Sequence, residues 1–103
     1  MTREEKLVKI FRALGHPNRF KLFAAIVRAP SSALKDDQSC FVHGIMNRLK
    51  IGAPTVSHHL KELVNADLVS TSRDGKFLTC KVNQRALTLA RAFFDMNEEE
   101  SST

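Results

Sequence analysis

One segment constrains the fold of this chain more than any other: Ile45-Met46-Asn47-Arg48-Leu49-Lys50-Ile51-Gly52-Ala53-Pro54-Thr55-Val56-Ser57-His58-His59-Leu60-Lys61-Glu62-Leu63. It reads as two helices joined by a tight turn. Gly52 is expected to break the first helix, because glycine alone takes a positive φ cheaply. Pro54 suits the first position of the second, where its missing N–H costs nothing. Val56, Leu60, Leu63 and Val64 fall at the spacing of one face of a 3.6-residue period. Ser57, His58, Lys61 and Asn65 lie opposite them. A short turn followed by a helix with a small, polar and basic outer face is the form of a helix-turn-helix able to enter a major groove. Taken alone, the segment fits an ordinary helical hairpin with a solvated face equally well.

Composition narrows the choice. A chain of 103 residues makes one domain with a modest core, so a dimer would help it. A hydrophobic content of 43% excludes a fully disordered chain. No apolar run approaches the roughly 20 residues that span a bilayer, which argues against a membrane. The start, Met1-Thr2-Arg3-Glu4-Glu5-Lys6, is charged and unlike a secretory signal, and the expected location is the cytoplasm. The formal charge of +5 favours nucleic acid or another anionic surface as partner. Asp95, Glu98, Glu99 and Glu100 crowd the end, so the body before them is more basic still. Two cysteines, Cys40 and Cys80, make no disulfide framework and are expected to be reduced.

Periodicity places the remaining elements. A first helix is expected from about Arg3 to Leu14, with Leu7, Ile10, Phe11 and Leu14 inward and Gly15 ending it. A second runs from about Pro17 to Arg28, with Phe20, Phe23, Ala24 and Val27 as its stripe, widened by Leu22 and Ile26. Residues 29–39 form a loop by composition, long for a helix–helix connection, with a short helical turn near Leu34 as one possibility. A third helix covers about Phe41 to Lys50, and the fourth about Pro54 to Ala66. Asp67 to Ser72 reads as a strand, Arg73-Asp74-Gly75-Lys76 as a hairpin turn, and Phe77 to Val82 as the returning strand. Alternation puts Leu78, Cys80 and Val82 on one face and Phe77, Thr79 and Lys81 on the other. The last helix runs from about Gln84 to Met96, with Leu87, Ala90, Phe93 and Phe94 apolar. The expected fold is mainly α with a small β-hairpin wing, in the order α-α-α-α-β-β-α. Residues 1–97 form the single domain and 98–103 an acidic, disordered tail.

Leu14-Gly15-His16-Pro17-Asn18-Arg19, then Pro54 to Leu63, then Ala66-Asp67-Leu68-Val69 and Arg73-Asp74-Gly75-Lys76, in this order and spacing, resemble the ArsR/SmtB family of bacterial repressors. The resemblance runs from about Leu7 to Phe94. It implies a winged helix-turn-helix dimer joined through the first and last helices. It also implies a fourth helix in the major groove, a wing along the backbone or minor groove, and operator DNA released by an inducer, usually a metal ion.

The residues support DNA binding on their own terms. Ser57 and His58 are the candidates for base edges, being short polar side chains on the outer face. Thr55 suits a phosphate near the positive helix end. Lys61 and the wing's Arg73 and Lys76 suit phosphates, which give affinity without sequence information; the alternative for Arg73 and Lys76 is a charged hairpin tip. His59, at the edge of the apolar stripe, is expected to be a structural histidine hydrogen-bonded within the domain.

The chain departs from the family's metal sensors. Positions 41 and 43, where the arsenic and lead sensors carry a Cys-x-Cys pair, are Phe41 and His43, and Cys40 falls one residue early. Thiophilic cations need several converging thiolates. The last helix offers Arg85, Arg91, Phe94 and Asp95 and no histidine, so the zinc and nickel site is missing too. No cofactor is expected; Cys40 and His43 remain the candidates for sensing a metal ion or an oxidant. Cys40 near a helix N-terminus would gain thiolate character, which suits a thiol switch; the plainer reading is an inert cysteine. A metal at Cys40 and His43 would need more ligands, such as Asp36 and Asp37. Cys80 is expected to be a small core residue.

Two other function classes bear comparison. A winged helix can serve as a protein–protein interaction module, but the outward His58, Lys61 and Arg73 are poor docking anchors. An enzyme is excluded, since the chain has no Gly-rich phosphate loop and no nucleophile–base–acid set.

Overall fold

A computed structural model describes residues 1–36 and 39–101, the last six of these by backbone alone. Helix α1 (Arg3–Leu14) starts at Thr2, whose hydroxyl accepts a hydrogen bond from the Glu5 amide at 3.1 Å. Glu4 and Glu5 in its first turn and Arg12 in its last complement the helix dipole. Its Leu7, Ile10 and Ala13 are buried, while Phe11 keeps over a third of its surface exposed.

Helix α2 (Pro17–Val27) opens at His16 with no side-chain cap and buries Leu22, Phe23 and Ile26. Phe20 and Val27, expected in the inward stripe, are about half exposed instead. Seven of the eleven residues are apolar, so periodicity alone supports two stripes. Contacts with α1, with α3 (Val42–Leu49) and with α4 (Ala53–Asn65) select the one containing Leu22 and Ile26.

The described part of the connection after α2 holds one 3₁₀ turn, Ser31–Ala33. Leu34 bridges to Cys40, and the Asp36 carboxylate accepts from the Ser39 amide (2.9 Å) and hydroxyl (3.0 Å). The turn lies against α3 so closely that a Cβ on Gly44 would meet the Ala33 Cβ at 3.1 Å. Asp37 lies outside the described residues. Cys40–Phe41, expected to lead into the third helix, instead form strand β1. Two residues are too few to show alternation, so only pairing reveals this strand.

The turn between α3 and α4 corrects a second expectation. Lys50, not Gly52, takes the left-handed conformation that ends α3, at φ 55°, and its amide bonds the Met46 carbonyl. Gly52 is extended, at φ −62° and ψ 149°, and serves as the N-cap of α4. The far end of α4 closes with Asp67 at φ 60°, where the Asp67 and Leu68 amides bond the carbonyls of Val64 (2.9 Å) and Leu63 (3.0 Å).

Strands β2 (Val69–Asp74) and β3 (Phe77–Val82) form the wing. The sheet order is β1-β3-β2, antiparallel throughout, with Cys40 opposite Cys80 and Asp74 opposite Phe77. The hairpin turn is thus Gly75-Lys76, later and shorter than the expected Arg73 to Lys76. A positive φ of 63° at Gly75 alone is the sign pattern of a type II′ turn, which needs glycine first. Thr79, expected on the outer face, is buried there by a third strand and donates to the Ser72 carbonyl at 3.2 Å.

Asn83 fastens the wing to the end of α4: its side-chain amide donates to the Asp67 carbonyl and its backbone amide to that of Leu68, both at 2.8 Å. Helix α5 (Gln84–Ser101) extends beyond Met96, where the apolar spacing would end it. The expected disorder of 98–103 falls on residues whose side chains, and from 102 on whose backbone, lie outside the described set. The core joins Leu22, Ile45, Val56, Leu63, Leu68 and Cys80, each essentially sealed from solvent.

Candidate nucleic-acid interface

Helix α4 is two-sided. Val56, His59, Leu60 and Leu63 face the core, and Thr55, Ser57, His58 and Lys61 are exposed. The segregation follows from the 3.6-residue repeat, and burial of the apolar side fixes which way the polar side points. No acidic residue stands in the first turn of α4, so its positive end is open to an anion beside Thr55.

At the wing tip, Arg73 and Lys76 are both exposed. Arg73 Nη1 donates to the Lys76 carbonyl at 3.5 Å, a long bond that orients the guanidinium weakly. Lys76 Nζ lies 5.6 Å from the Phe77 ring centroid, within cation–π range. Asp74, the acidic residue of the turn, approaches Lys35 at 3.9 Å. The wing therefore presents two cations with its carboxylate turned to a third.

His59 is buried, as its place on the stripe suggests, but the expected hydrogen bond is missing: Nδ1 has no partner. Its ring packs between those of His16 (5.0 Å) and His58 (5.7 Å). Burial first, then the positive neighbours His16, Arg19 and His58, push its pKa below the ordinary 6.5. Both effects favour the neutral imidazole. His16 and Arg19, which the sequence marks only as part of the Leu14–Arg19 motif at the start of α2, join this cluster.

The candidate sensing residues do not converge. Cys40 is sealed in β1, and burial raises its thiol pKa, which reverses the thiolate character expected at a helix N-terminus. Cys80, opposite it, is pushed up to about 12 by burial and by Cys40. His43 is exposed and stacks on Phe77 with ring centroids 6.3 Å apart. Among the described residues, no three His, Cys, Asp or Glu side chains come together as a metal site.

A second surface feature lies where α1 meets α5. Phe11, Phe93 and Phe94 form an exposed aromatic cluster, with Phe11 5.7 Å from Phe94 and 6.1 Å from Phe93.

Residues 32–71, from the 3₁₀ turn to the start of the wing, match the model of the bacterial regulatory proteins of the arsR family. Over 75 residues the chain is 33% identical to an uncharacterized HTH-type transcriptional regulator of Methanocaldococcus jannaschii, spanning 73% of this chain and 75% of that protein. The chain belongs to the ArsR family. Solved ArsR-type structures share its fold. An ArsR family transcriptional regulator superimposes with a TM-score of 0.74 at 20% identity, over 97% of this chain and 94% of the other. The homodimeric winged helix-turn-helix domain of a possible ArsR-family regulator from Mycobacterium bovis gives 0.66 at 16% identity, over 96% and 85%. As an ArsR-family chain this protein is a DNA-binding transcriptional regulator of winged helix-turn-helix form, not an enzyme. No helix among its described residues is long and apolar enough to cross a membrane.

Proposed function

We propose that this protein is a cytoplasmic repressor that binds operator DNA as a homodimer. The observation that carries the reading is the two-sided α4: its apolar side is locked into the core and its exposed side offers Ser57, His58 and Lys61, with a cationic wing tip following in the fold. Ser57 and His58 read base edges in the major groove; Thr55, Lys61, Arg73 and Lys76 hold phosphates. The dimer forms through α1 and α5, whose Phe11, Phe93 and Phe94 are apolar groups left exposed in one copy. The homodimeric M. bovis neighbour supports this. Two recognition helices then address half-sites about 34 Å apart, one helical turn of DNA.

Release by an inducer completes the reading. His43 is directly available to a metal ion, whereas an oxidant reaches Cys40 only when β1 opens.

The test is a fluorescence-anisotropy titration of the chain's own promoter DNA across a salt series, repeated with zinc, cadmium, arsenite and a mild oxidant. Affinity should fall steeply with salt. Lys76→Ala should lower the slope of log K against log salt by about one without changing sequence preference, and His58→Ala should relax preference by about 1–3 kcal/mol at one position. Salt-independent binding indifferent to both substitutions would instead support a protein-docking module. An agent that releases DNA from the wild type but not from His43→Ala or Cys40→Ser locates the sensing site.

A further inference from the structure

The DNA contacts leave one group of side chains unused, namely His16, Arg19 and His59. They meet where the N-terminus of α2 packs beside α4. His59 is more than nine-tenths buried and its Nδ1 has no hydrogen-bond partner; Arg19 Nε is also buried and unpartnered. An unsatisfied buried polar group is costly, and buried polar atoms are otherwise nearly always paired. The start of α2 adds donors. His16 provides no side-chain cap, the first turn holds no acidic residue, and the Asn18 and Arg19 amides meet no acceptor among the described residues. Every group facing His59 with an electrostatic effect is a potential cation: His16 and Arg19 from the α2 end, His58 from its own helix. No hydrogen bond or ion pair joins a described carboxylate to any of the four. A cluster of donors and positive charge at a helix N-terminus, with no described carboxylate paired to it, is complementary to an oxyanion.

We propose that His16, Arg19 and His59 form a binding site for a phosphate oxyanion, supplied by the backbone of bound DNA. The DNA source rests on the operator-binding reading; the oxyanion chemistry does not. Location favours the backbone. The His59 ring is 5.7 Å from that of His58, which is exposed on the face assigned to the major groove. Phosphate rows border that groove, which is about 12 Å wide. The phosphate would sit over the α2 N-terminus and fix the angle of α4 in the groove. It carries no sequence information, so its loss should weaken all sequences alike.

The test has two arms, using full-length wild type, His16→Gln and His59→Gln, each checked for folding by circular dichroism. His16 is exposed, so its substitution leaves the core intact even where that of His59 does not. In the DNA arm, each folded variant should bind the promoter and an unrelated duplex about tenfold more weakly, by the same factor, with the salt slope reduced by about one. In the second arm, inorganic phosphate is titrated against chloride at equal ionic strength while the histidine ring C–H resonances are followed by NMR. Saturable shifts of His16 and His59 with phosphate alone support the oxyanion site. If they occur while DNA affinity and slope stay unchanged, the site serves a free phosphate ligand and the DNA source is overturned. If the wild type binds no DNA, the operator reading fails and the phosphate arm alone decides. Shifts no larger than those with chloride, together with DNA affinity unchanged within twofold in folded His16→Gln, overturn the proposal.

Discussion

Lys50→Gly should stabilise this protein, although it places a flexible residue inside the helix-turn-helix. Lys50 holds φ at 55° and ψ at 37°, the left-handed region. A side chain there costs roughly 1–2 kcal/mol, which glycine avoids. Glycine also loses more freedom on folding, an opposing effect of about 0.4–1 kcal/mol. The difference leaves a net gain of about 0.5–1 kcal/mol. For a domain of this size that is an increase in Tm of roughly 3–6 °C. Gly52→Ala is the matched control. Gly52 is extended, and a Cβ there meets nothing nearer than the Pro54 Cδ at 3.9 Å; alanine gains from a stiffer unfolded chain and loses glycine's advantage at the N-cap, so the net change should stay below about 1 kcal/mol in either direction. Urea unfolding at one fixed protein concentration measures both, since any self-association makes stability concentration-dependent. A loss of about 1 kcal/mol or more in Gly52→Ala, with no gain in Lys50→Gly, would refute this turn and restore glycine as the helix breaker.

Three further outcomes follow from burial and charge. Because the His59 pKa lies below its unfolded value of 6.5, the unfolded chain takes up the proton first; stability should be full above pH 6.5 and fall on acidification by at most about 1.4 kcal/mol per pH unit. His59→Gln should remove that fall, read as urea midpoints between about pH 7.5 and 5. Leu63→Ala, at a fully sealed position, should lower unfolding free energy by about 3–5 kcal/mol in the same assay. Phe94→Asp should weaken self-association by about 2–4 kcal/mol in sedimentation equilibrium while leaving the circular dichroism spectrum of the monomer intact; an unchanged dimer would place the interface elsewhere.

The helices and the two-sided α4 were legible in the sequence because they follow from local rules. Arg3–Leu14 appears with the expected bounds, and the stripe of Val56, Leu60 and Leu63 is buried with Ser57, His58 and Lys61 opposite. A 3.6-residue repeat survives whatever it packs against. The two hairpin strands were legible for a similar reason: Asp74-Gly75 marks a tight turn, and β-rich segments flank it.

The features that escaped all depend on partners remote in the chain. Cys40–Phe41 is a strand because β3 lies beside it, and the Cys40 thiol pKa is raised rather than lowered because Cys40 is buried there. Phe20 and Val27 are exposed because α1, α3 and α4 meet the other stripe of α2. Lys50, rather than the glycine two residues on, takes the left-handed turn, which residue type alone does not predict. Above all, the cluster of His16, Arg19 and His59 joins two helices far apart in the chain. Sequence by itself determined the order of the five helices and the hairpin and the two-sided fourth helix, which rest on periodicity and turn chemistry, and the family, which rests on the order and spacing of its motifs. Which stripe of α2 is buried, that Cys40 is sealed along with Cys80, and which histidines and arginine gather around His59 were decided only when the elements packed, because burial and electrostatic environment are properties of neighbours in space.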